Sequence, residues 1–588
     1  MLSLAEWRIM NRINNIDICG NIVFGDQEIS SEEIRNQMIR LGAKFGNNKK
    51  IAIAIDRSPG FLIAIMTCLK YGIVFLPINL NLPVSRIQYI ISDSNIDSVF
   101  TSKKYLNIFE KNNIILDDEE SSLVNADYDM ETIHEIAYIL YTSGTTGTPK
   151  GVEVTMEGLM NFIDGISEVT DFSPGKRIAC LAAVSFDIFM LESVAALLKG
   201  LTVVLANNEE RKNPRLLAKL IDKNNVDIVQ MTPSGIQLLL YSKNIKCLAK
   251  VKDIMIGGEP FPLNLLKILQ KETTAKIYNM YGPTETTIWS AISDLTDKDK
   301  IDIGKPIKET EIYILDHEFQ IIDNEQAGEI CITGKGLAKG YLGRDDLTAQ
   351  SFIYLPQMPN KRAYRTGDLG RYLSNGNIEY IGRLDNQVKI RGHRIEPEEI
   401  ESYINQFEGI SQSIVISKDT GQSNIALIAL FVSDNDINSS QITEYLAARI
   451  PPYMIPARFL RVNGFEYTEN GKIDRKKTYE NMKFKTESIE KETQPEMSSN
   501  LSKVQKRAYE IIELKLYERL FEDITVDTEI KGIDSITFII MVVALEEEFG
   551  IEFDEEKLII ESFTTIRSIL EYTESKINLM LQAKHLLL

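Results

Sequence analysis

The chain has 588 residues, of which 25% are charged and 44% hydrophobic, and its formal net charge is −19. At roughly 100–200 residues per domain, this length predicts several compact domains, and the composition is typical of an ordinary globular protein. The acidic balance argues against a nucleic acid partner, because binding to a phosphate backbone needs a concentrated basic face.

The five cysteines are scattered, with no spacing typical of disulfides or metal ligands, which favours a reducing compartment. The first residues lack the basic start and long apolar stretch of a signal peptide. The longest apolar stretch, residues 536–545, is too short to cross a bilayer. We therefore expect a cytoplasmic protein without a membrane partner.

From about residue 50 to residue 340, short apolar runs alternate with amphipathic stretches, as expected for βαβ units. Ile51–Ile55 predicts a strand and residues 60–71 a helix. This rhythm predicts a large α/β body over residues 1–384. The charged segment that follows, with its mixed short elements, predicts a small α+β subdomain over residues 385–480. Further strands are predicted at residues 201–205, 227–231 and 253–256.

The C-terminal part of the chain has a different character. Residues 481–500 hold few apolar groups, which predicts a linker. Beyond them, Ile536, Ile539 and Val543 recur at helical spacing, so we expect an all-α four-helix bundle over residues 501–580. From residue 501 onward there are 10 basic and 18 acidic residues, and this acidity suits docking on basic enzyme surfaces.

The strongest local motif is Tyr141–Gly151, a run of glycines and hydroxyl residues that ends with Lys150. Backbone N–H groups and hydroxyls in such a loop can surround phosphates, and the lysine supplies positive charge. Pro149 stands where a P-loop needs its second glycine, so the motif is not that of a P-loop NTPase. Taken alone, the segment could also be a polar surface turn.

Several further motifs follow this loop in order. Together they resemble the adenylation domain of a nonribosomal peptide synthetase followed by a carrier domain. The resemblance implies an adenylate-forming α/β body, a mobile C-terminal subdomain and a phosphopantetheine carrier. The motifs are Asn279–Glu285, Tyr364–Leu369, Gly382–Glu396 and Asn470–Arg475, with a further similarity at residues 70–77.

The resemblance implies ATP and Mg²⁺ at one site. Glu285 would bind Mg²⁺, whose preference for oxygen ligands suits a carboxylate. Asp368 would accept hydrogen bonds from the ribose hydroxyls with Arg383 beside it. Tyr281 would stack on adenine and Asn279 would hydrogen-bond to it. The implied nucleotide-binding residues are Thr142, Ser143, Gly144, Thr145, Thr146, Gly147, Lys150, Gly258, Glu259, Asn279, Tyr281, Gly282, Thr284, Asp368, Arg383 and Lys472.

Lys472 follows an Asn-Gly pair that favours a tight turn, and alone it would be an ordinary exposed lysine. The resemblance implies that Lys472 contacts the substrate carboxylate and the α-phosphate. There it would be catalytic, together with Lys150 and Thr142, by stabilising the charge that develops as pyrophosphate leaves.

The same resemblance implies that one site serves two half-reactions. The small subdomain would rotate about the hinge Asp385 and withdraw Lys472. The segment from Lys389 to Gly392 would then line a tunnel for the carrier's thiol.

Ser535 stands at the start of the apolar helix, in the sequence Gly-Ile-Asp-Ser-Ile. It resembles a carrier attachment site for 4′-phosphopantetheine, which would require a phosphopantetheinyl transferase. Alternatively, Ser535 is only a helix N-cap. Ile533 replaces the second glycine usual in peptide carriers, so the site is closer to that of a discrete acyl carrier protein.

The resemblance also implies the substrate class. Asp187 follows Phe186 and would bind the α-ammonium group of an amino acid, because a buried carboxylate needs a cationic partner. The implied side-chain pocket carries no charge and is filled by large residues, which resembles the set associated with glycine; alanine is the nearest competitor. The pocket residues are Ile188, Leu191, Gln230, Met255, Gly257, Met280, Ile288 and Trp289.

Two other functions remain open from the sequence. An acyl-CoA ligase would share the phosphate loop but would need neither Asp187 nor Ser535. A scaffold with an inactive body is disfavoured, because Glu285, Asp368 and Lys472 are all present. No condensation or thioesterase signature occurs in the chain, so we expect a downstream condensation or tailoring enzyme to act in trans.

Overall fold

A computed structural model describes residues 17–109, 113–116, 135–144, 147–322, 325–419, 425–467, 473–486, 501–520, 525–528, 530, 533 and 535–586. Two α/β sheets and a third, mostly antiparallel sheet build a large body. A small α+β subdomain and a helical domain follow it. The predicted fold class is therefore confirmed. In this part of the chain, no helix is long and apolar enough to cross a bilayer.

The first sheet of the body contains nine described strands, and its central six are parallel. Its parallel strands end near one another, which is where open α/β sheets bind ligands. In spatial order the strands are Lys305–Pro306, Ala291–Asp294, Lys276–Tyr281, Asp253–Gly257, Ile228–Met231, Arg177–Cys180, Thr202–Leu205, Ile22–Phe24 and Gln27–Ile29.

The second sheet lies against the first across the main hydrophobic core, which includes Phe61, Tyr138 and Phe189. The third sheet packs around Ile312, Ile314 and Ile330. The second sheet has, in order, Gly340–Tyr341, Lys150–Thr155, Ile136–Thr142, Val74–Pro77, Lys50–Ala54, Ser98–Thr101 and Asn113–Ile115. The third has Ile321–Ile322, Thr310–Leu315, Gly328–Gly334, Met358–Tyr372 and Phe352–Leu355, with Ile378–Arg383 paired to Met358–Tyr372.

Amphipathic helices cover these sheets, and many start with Pro or with a capping side chain, as at Ser30 and Asn213. The helices are Ser31–Phe45, Pro59–Lys70, Val84–Asp93, Met156–Val169, Ile188–Met190, Ala196–Leu198, Asn208–Lys212, Pro214–Lys223, Pro233–Tyr241, Leu263–Glu272 and Asp345–Ser351. A π-helical segment, Leu191–Ala195, joins two of them, and short 3₁₀ helices span Lys103–Ile108, Ile245–Lys250 and Thr284–Thr286.

The small subdomain begins with a hairpin, Val388–Ile390 and His393–Ile395, that points toward the body. Behind the hairpin, one three-stranded sheet packs on its helices around Ile400, Leu446 and Met454. The sheet is Ile410–Asp419, Ile425–Ser433 and Arg458–Arg461, and the helices are Pro397–Ile404, Ser439–Ala447, Pro452–Met454 (3₁₀) and Arg475–Thr486. The last helix continues past residue 480, where the linker was predicted to begin.

The C-terminal domain has a hydrophobic core of its own, centred on Phe538, Leu545 and Phe553. Its described helices are Lys503–Leu520, Ser535–Phe549 and Ile566–Leu586, with 3₁₀ turns at Glu555–Lys557 and Ile560–Ser562. Leu238, from the body, packs against this core. The helical domain is thus seated on the body.

Candidate active site

A cavity of about 130 Å³ lies between the body and the hairpin of the small subdomain. Its walls come from strand ends of both α/β sheets, and the hairpin closes it. Many of the predicted functional residues meet here. They are Thr142, Ser143, Asp187, Ile188, Gly258, Gly282, Thr284, Trp289, Asp368, Arg383, Lys389 and Gly392.

The phosphate loop connects two antiparallel strands in which Thr142 and Lys150 are paired. The Thr142 hydroxyl is buried, and it finds no hydrogen-bond partner among the described residues. It lines the cavity, so it is available to a ligand. Gly147 has a φ of +84°, a conformation that favours glycine. Thr145 and Thr146 lie outside the described residues.

The small subdomain engages other groups of this loop. Ser143 Oγ donates to the Arg394 carbonyl at 2.8 Å, and the Gly144 N–H donates to Glu399 Oε2 at 3.2 Å. Glu399 also receives Arg86 Nη1 from the body at 2.7 Å in a buried ion pair. In this arrangement, the small subdomain occupies part of the loop's hydrogen-bonding capacity.

Lys150 is buried, and its Nζ lies 3.8 Å from Glu285 Oε1 and 3.2 Å from the Tyr341 hydroxyl. Its ammonium also sits 4.2 Å from the centre of the Tyr341 ring, a cation–π contact. Burial lowers the pKa of Lys150 to about 8, and the positive charge of Arg394 adds to this effect. The ammonium group of Lys150 is thus held by the hydroxyl and the ring of Tyr341, and the Glu285 carboxylate lies 3.8 Å from it.

Glu285 is fully buried. Arg394 Nη1 lies 2.9 and 3.1 Å from its two carboxylate oxygens, and the Tyr341 hydroxyl donates to Oε1 at 2.8 Å. Burial favours the neutral acid, but Arg394 and Lys150 outweigh it and lower the pKa of Glu285 to about 2. Donors thus engage both carboxylate oxygens in this arrangement, and the binding of Mg²⁺ by Glu285 stays a prediction.

The nucleotide-binding prediction places Asp368 beside Arg383, and the two residues are paired across antiparallel strands. Asp368 accepts hydrogen bonds from Arg383 Nη1 and from the Tyr281 hydroxyl, each at 2.6 Å. Arg383 also donates two hydrogen bonds, of 2.6 and 2.7 Å, to Asp385, the residue predicted to be the hinge. Arg383 thus joins the body to the first residue of the small subdomain.

Two other predicted nucleotide-binding residues have protein partners here. Asn279 donates to the Asp302 carbonyl at 2.8 Å. Glu259 accepts from the Gly392 N–H at 2.8 Å and from the Ser234 hydroxyl at 2.7 Å. Glu259 therefore connects the hairpin of the small subdomain to the start of helix Pro233–Tyr241.

Asp187 lines the cavity and precedes a short helix, whose Ile188 N–H donates to it at 2.8 Å. It forms no ion pair within the described residues. Burial raises the pKa of Asp187 to about 6; hydrogen bonds from Thr284 and Ile188 oppose this effect, and Lys389 also favours the charged form. A ligand cation would be a favourable partner for this carboxylate.

The predicted side-chain pocket is formed around Trp289, which is buried and lines the cavity beside Asp187 and Ile188. Its ring packs on Gly257, because a methyl group added at Gly257 would lie only 2.7 Å from the ring. The other predicted pocket residues are buried behind this layer. They are Leu191, Gln230, Met255, Met280 and Ile288.

Besides Thr145 and Thr146, two predicted residues lie wholly or partly outside the described part of the chain. Lys472 lies outside the described residues, although its neighbour Ile473 packs against Ile414 and Leu430 in the small subdomain. Ser535 begins its helix, as predicted, and its side chain is not among the described parts.

Three residues in or next to the cavity received no role from the sequence. Arg394 and His393 stand inside the Gly382–Glu396 motif, but Glu285 and Tyr453, which they contact, lie far away in the chain. His393 stacks on Tyr453 at 3.5 Å, and burial lowers its pKa to about 3, so it is neutral. Tyr341, which contacts both Lys150 and Glu285, follows a glycine-rich run and carries no recognisable signal of its own.

The cavity lies between an α/β body and a small subdomain, and a helical domain packs on the body. This architecture defines an adenylate-forming enzyme with its own carrier. Sequence comparison agrees. The model of the family described as "AMP-binding enzyme" matches residues 23–342, and that described as "Phosphopantetheine attachment site" matches residues 522–573. The chain belongs to the AMP-binding enzymes.

Its relatives include a dimodular nonribosomal peptide synthase of Bacillus subtilis (strain 168), which is 34% identical over 472 residues. That match covers 78% of this chain but only 20% of the synthase. The structure is similar to holo-PA1221, an NRPS protein with adenylation and PCP domains bound to a vinylsulfonamide inhibitor. The TM-score is 0.79 and the identity 22%, and the match covers 97% of this chain and 96% of that chain.

A second solved structure, holo-AB3403, is a four-domain nonribosomal peptide synthetase bound to AMP and glycine. It matches with a TM-score of 0.59 and 26% identity, over 98% of this chain and 43% of that chain. The predicted combination of an adenylating enzyme with a carrier domain is confirmed, as is the use of ATP and 4′-phosphopantetheine. The carrier domain requires modification by a phosphopantetheinyl transferase.

Proposed function

We propose that this enzyme converts glycine to glycyl-AMP and transfers the glycyl group to the phosphopantetheine thiol carried by Ser535. The observation that carries the choice of substrate is the packing of Trp289 on Gly257 beside Asp187. The carboxylate provides a place for the α-ammonium group. The indole ring fills the space that a side chain would need.

Attraction alone would not select glycine, because an added methyl group gains about 0.8 kcal/mol when buried. Steric exclusion by Trp289 therefore has to outweigh that gain. The solved structure holo-AB3403, which contains AMP and glycine, supports the same substrate. Alanine is the nearest alternative. A CoA ligase is disfavoured, because neither Asp187 nor a carrier domain is needed to load free CoA.

The first half-reaction joins the amino acid to AMP. A carboxylate oxygen of the amino acid attacks the α-phosphorus of ATP, the bond to the β-phosphate oxygen breaks, and pyrophosphate leaves. We assign phosphate binding to Thr142 and Lys150, and ribose binding to Asp368. Lys472 would stabilise the developing charge at the α-phosphate from another position of the small subdomain.

The second half-reaction uses the arrangement described here, in which the hairpin with Lys389 and Gly392 lines the cavity. Phosphopantetheine on Ser535 would supply a thiol as the nucleophile for the glycyl carbonyl carbon, with AMP as the leaving group and the thiol proton passing to solvent. Neutral His393 and Gly392 would form part of the cavity wall in this step. We propose that a condensation or tailoring enzyme then takes the glycyl group in trans.

The decisive test is ATP–pyrophosphate exchange with each proteinogenic amino acid, followed by intact-protein mass spectrometry of the holo chain. Glycine should give the highest exchange and the glycyl adduct on the carrier. A preference for a large side chain would contradict the assigned pocket. Turnover of free CoA without carrier loading would favour a CoA ligase. We place the activity in the cytoplasm, where the free thiols of all five cysteines would stay reduced.

A further inference from the structure

The carrier domain sits on a defined face of the body. Helices Pro214–Lys223 and Pro233–Tyr241 form this face, and the carrier contributes helix Ser535–Phe549 and the turn that follows it. Leu238 provides the apolar part of the contact by packing on the carrier's core. Of the basic body residues in the polar part, Arg215 is the most buried.

Arg215 contacts three groups of the carrier, one of which, the largely exposed carboxylate of Glu552, lies 3.8 Å from its Nη1. Its Nη2 lies 2.8 Å from both carboxylate oxygens of Glu546, and its Nη1 donates to the Phe553 carbonyl at 2.8 Å. Only 19% of the Arg215 side chain and 13% of the Glu546 side chain remain exposed. This contact is therefore mostly shielded from water, and charge pairing has a larger effect on association in such a shielded position.

The carrier holds its half of the contact in position by itself. Glu546 Oε1 accepts the Phe553 N–H at 2.7 Å, so the carboxylate and the turn are joined before docking. On the body, Asn213 caps the helix by accepting the Arg215 N–H at 3.0 Å, and its amide donates to the Glu555 carbonyl of the carrier at 2.6 Å. Both surfaces are thus preorganised.

Two other ion pairs surround this contact, Lys219 with Glu555 and Lys243 with Glu547. More than 40% of each of these four side chains is exposed. Exposed pairs contribute little, because water and salt screen them. They serve as internal controls for the role of the shielded pair.

We infer that Arg215 is the residue by which this body selects its own carrier in the transfer half-reaction. A carrier without a carboxylate at the position of Glu546 would leave this largely buried guanidinium with only the exposed carboxylate of Glu552, 3.8 Å away, as a charged partner, and this penalty would reject it. The inference depends on thioester transfer to the carrier and not on which amino acid is activated.

The test uses two separate full-length chains. Within one chain, the linker keeps the carrier near the body and would hide a change in affinity between them. The donor chain carries Ser535→Ala and activates the amino acid. The acceptor is a holo chain with Lys472→Ala, which accepts but does not activate. The measured quantity is kcat/KM for loading of the acceptor with radiolabelled amino acid.

Arg215→Gln in the donor and Glu546→Gln in the acceptor should each lower kcat/KM about tenfold. Combining the two should lower it no further, because either change already removes the same contact. The control changes, Lys219→Gln in the donor and Glu555→Gln in the acceptor, should alter it less than about twofold. Pyrophosphate exchange by each donor should be unchanged, which shows that the body is folded.

Two results would overturn the inference: unchanged loading with Arg215→Gln, or losses that multiply to about a hundredfold in the combined experiment. Loading of the acceptor without any donor, or no loading with unsubstituted surfaces, would instead show that the roles assigned to Lys472 and Ser535 are wrong. The two kinds of failure are therefore distinguishable.

Discussion

Arg394, from the small subdomain, and Glu285, from the body, form a buried ion pair in which one guanidinium nitrogen lies 2.9 and 3.1 Å from the two carboxylate oxygens. The pair lies next to Lys150 and joins the small subdomain to the body, with Arg394 lining the cavity. This contact depends on the position of the small subdomain, so we expect it to matter most in the half-reaction that uses the described arrangement, which we propose to be transfer.

This pair leads to a first prediction. Arg394→Gln should lower the rate of transfer from preformed glycyl-AMP to the holo carrier by about tenfold or more, because it removes a buried ion pair between the moving parts. Pyrophosphate exchange should change only severalfold. Rapid-quench measurement of carrier loading gives the first rate. Arg371→Gln, which removes a more exposed guanidinium paired with Glu379, is the matched control. An equal loss in both half-reactions would place Arg394 in adenylate formation instead.

The second prediction concerns Lys472. Lys472→Ala should nearly abolish pyrophosphate exchange, because Lys472 alone is assigned to both the substrate carboxylate and the α-phosphate, and Lys150 would not replace it at the carboxylate. Transfer from preformed glycyl-AMP should stay within about threefold of the wild type, since the proposed rotation of the small subdomain withdraws Lys472 in that step. Near-normal exchange by the variant would refute the assignment.

The third prediction separates activation from attachment. Ser535→Ala should leave exchange unchanged and remove both pantetheine attachment and covalent loading, because the serine lies on a domain with its own core. Intact-protein mass spectrometry after treatment with a phosphopantetheinyl transferase measures attachment. A pantetheine adduct on the variant would point to a different serine.

The fourth prediction tests the steric basis of selectivity. Trp289→Ser should raise activation of alanine or serine relative to glycine, because the ring that packs on Gly257 is removed. The new cavity should also lower the free energy of unfolding by about 3–5 kcal/mol. Exchange assays on wild type and variant give the selectivity, and urea unfolding gives the stability. An unchanged profile would show that Trp289 does not face the substrate.

The fifth prediction follows from Asp187, whose pKa burial raises to about 6. Asp187 is charged above that pH and loses its charge as the pH falls through it, so binding of the substrate's ammonium group weakens in acid. Below pH 6, KM for glycine should rise about tenfold per pH unit, with little change in kcat. Lys389 favours the charged form of Asp187, and Glu285 opposes it. Asp187→Asn should raise KM at all pH values and remove this dependence. A KM that stays flat from pH 7 to pH 5 would contradict the role of Asp187.

Sequence reasoning located those parts of the site that depend on local motifs. Thr142 and Lys150 stand at the two ends of one loop, and Asp368 and Arg383 belong to motifs close together in the chain. The α/β rhythm likewise follows from local periodicity. These features could be predicted because each motif fixes its own strand end or turn.

The remaining contacts depend on how distant segments meet. Arg394 is 109 residues from Glu285, and Arg215 is 331 residues from Glu546. Neither arginine differs in type or spacing from a solvated surface residue. Which charges become buried partners is decided by domain packing, and a single sequence contains no record of that packing.

Helix Pro233–Tyr241 contacts two neighbouring parts of the molecule. Ser234, at its start, shares Glu259 with the Gly392 N–H of the small subdomain, and Leu238, one turn further along, supports the carrier. One short helix thus contacts the carrier directly and the small subdomain through Glu259, so the docking face of the carrier and the contact of the hairpin share a single support.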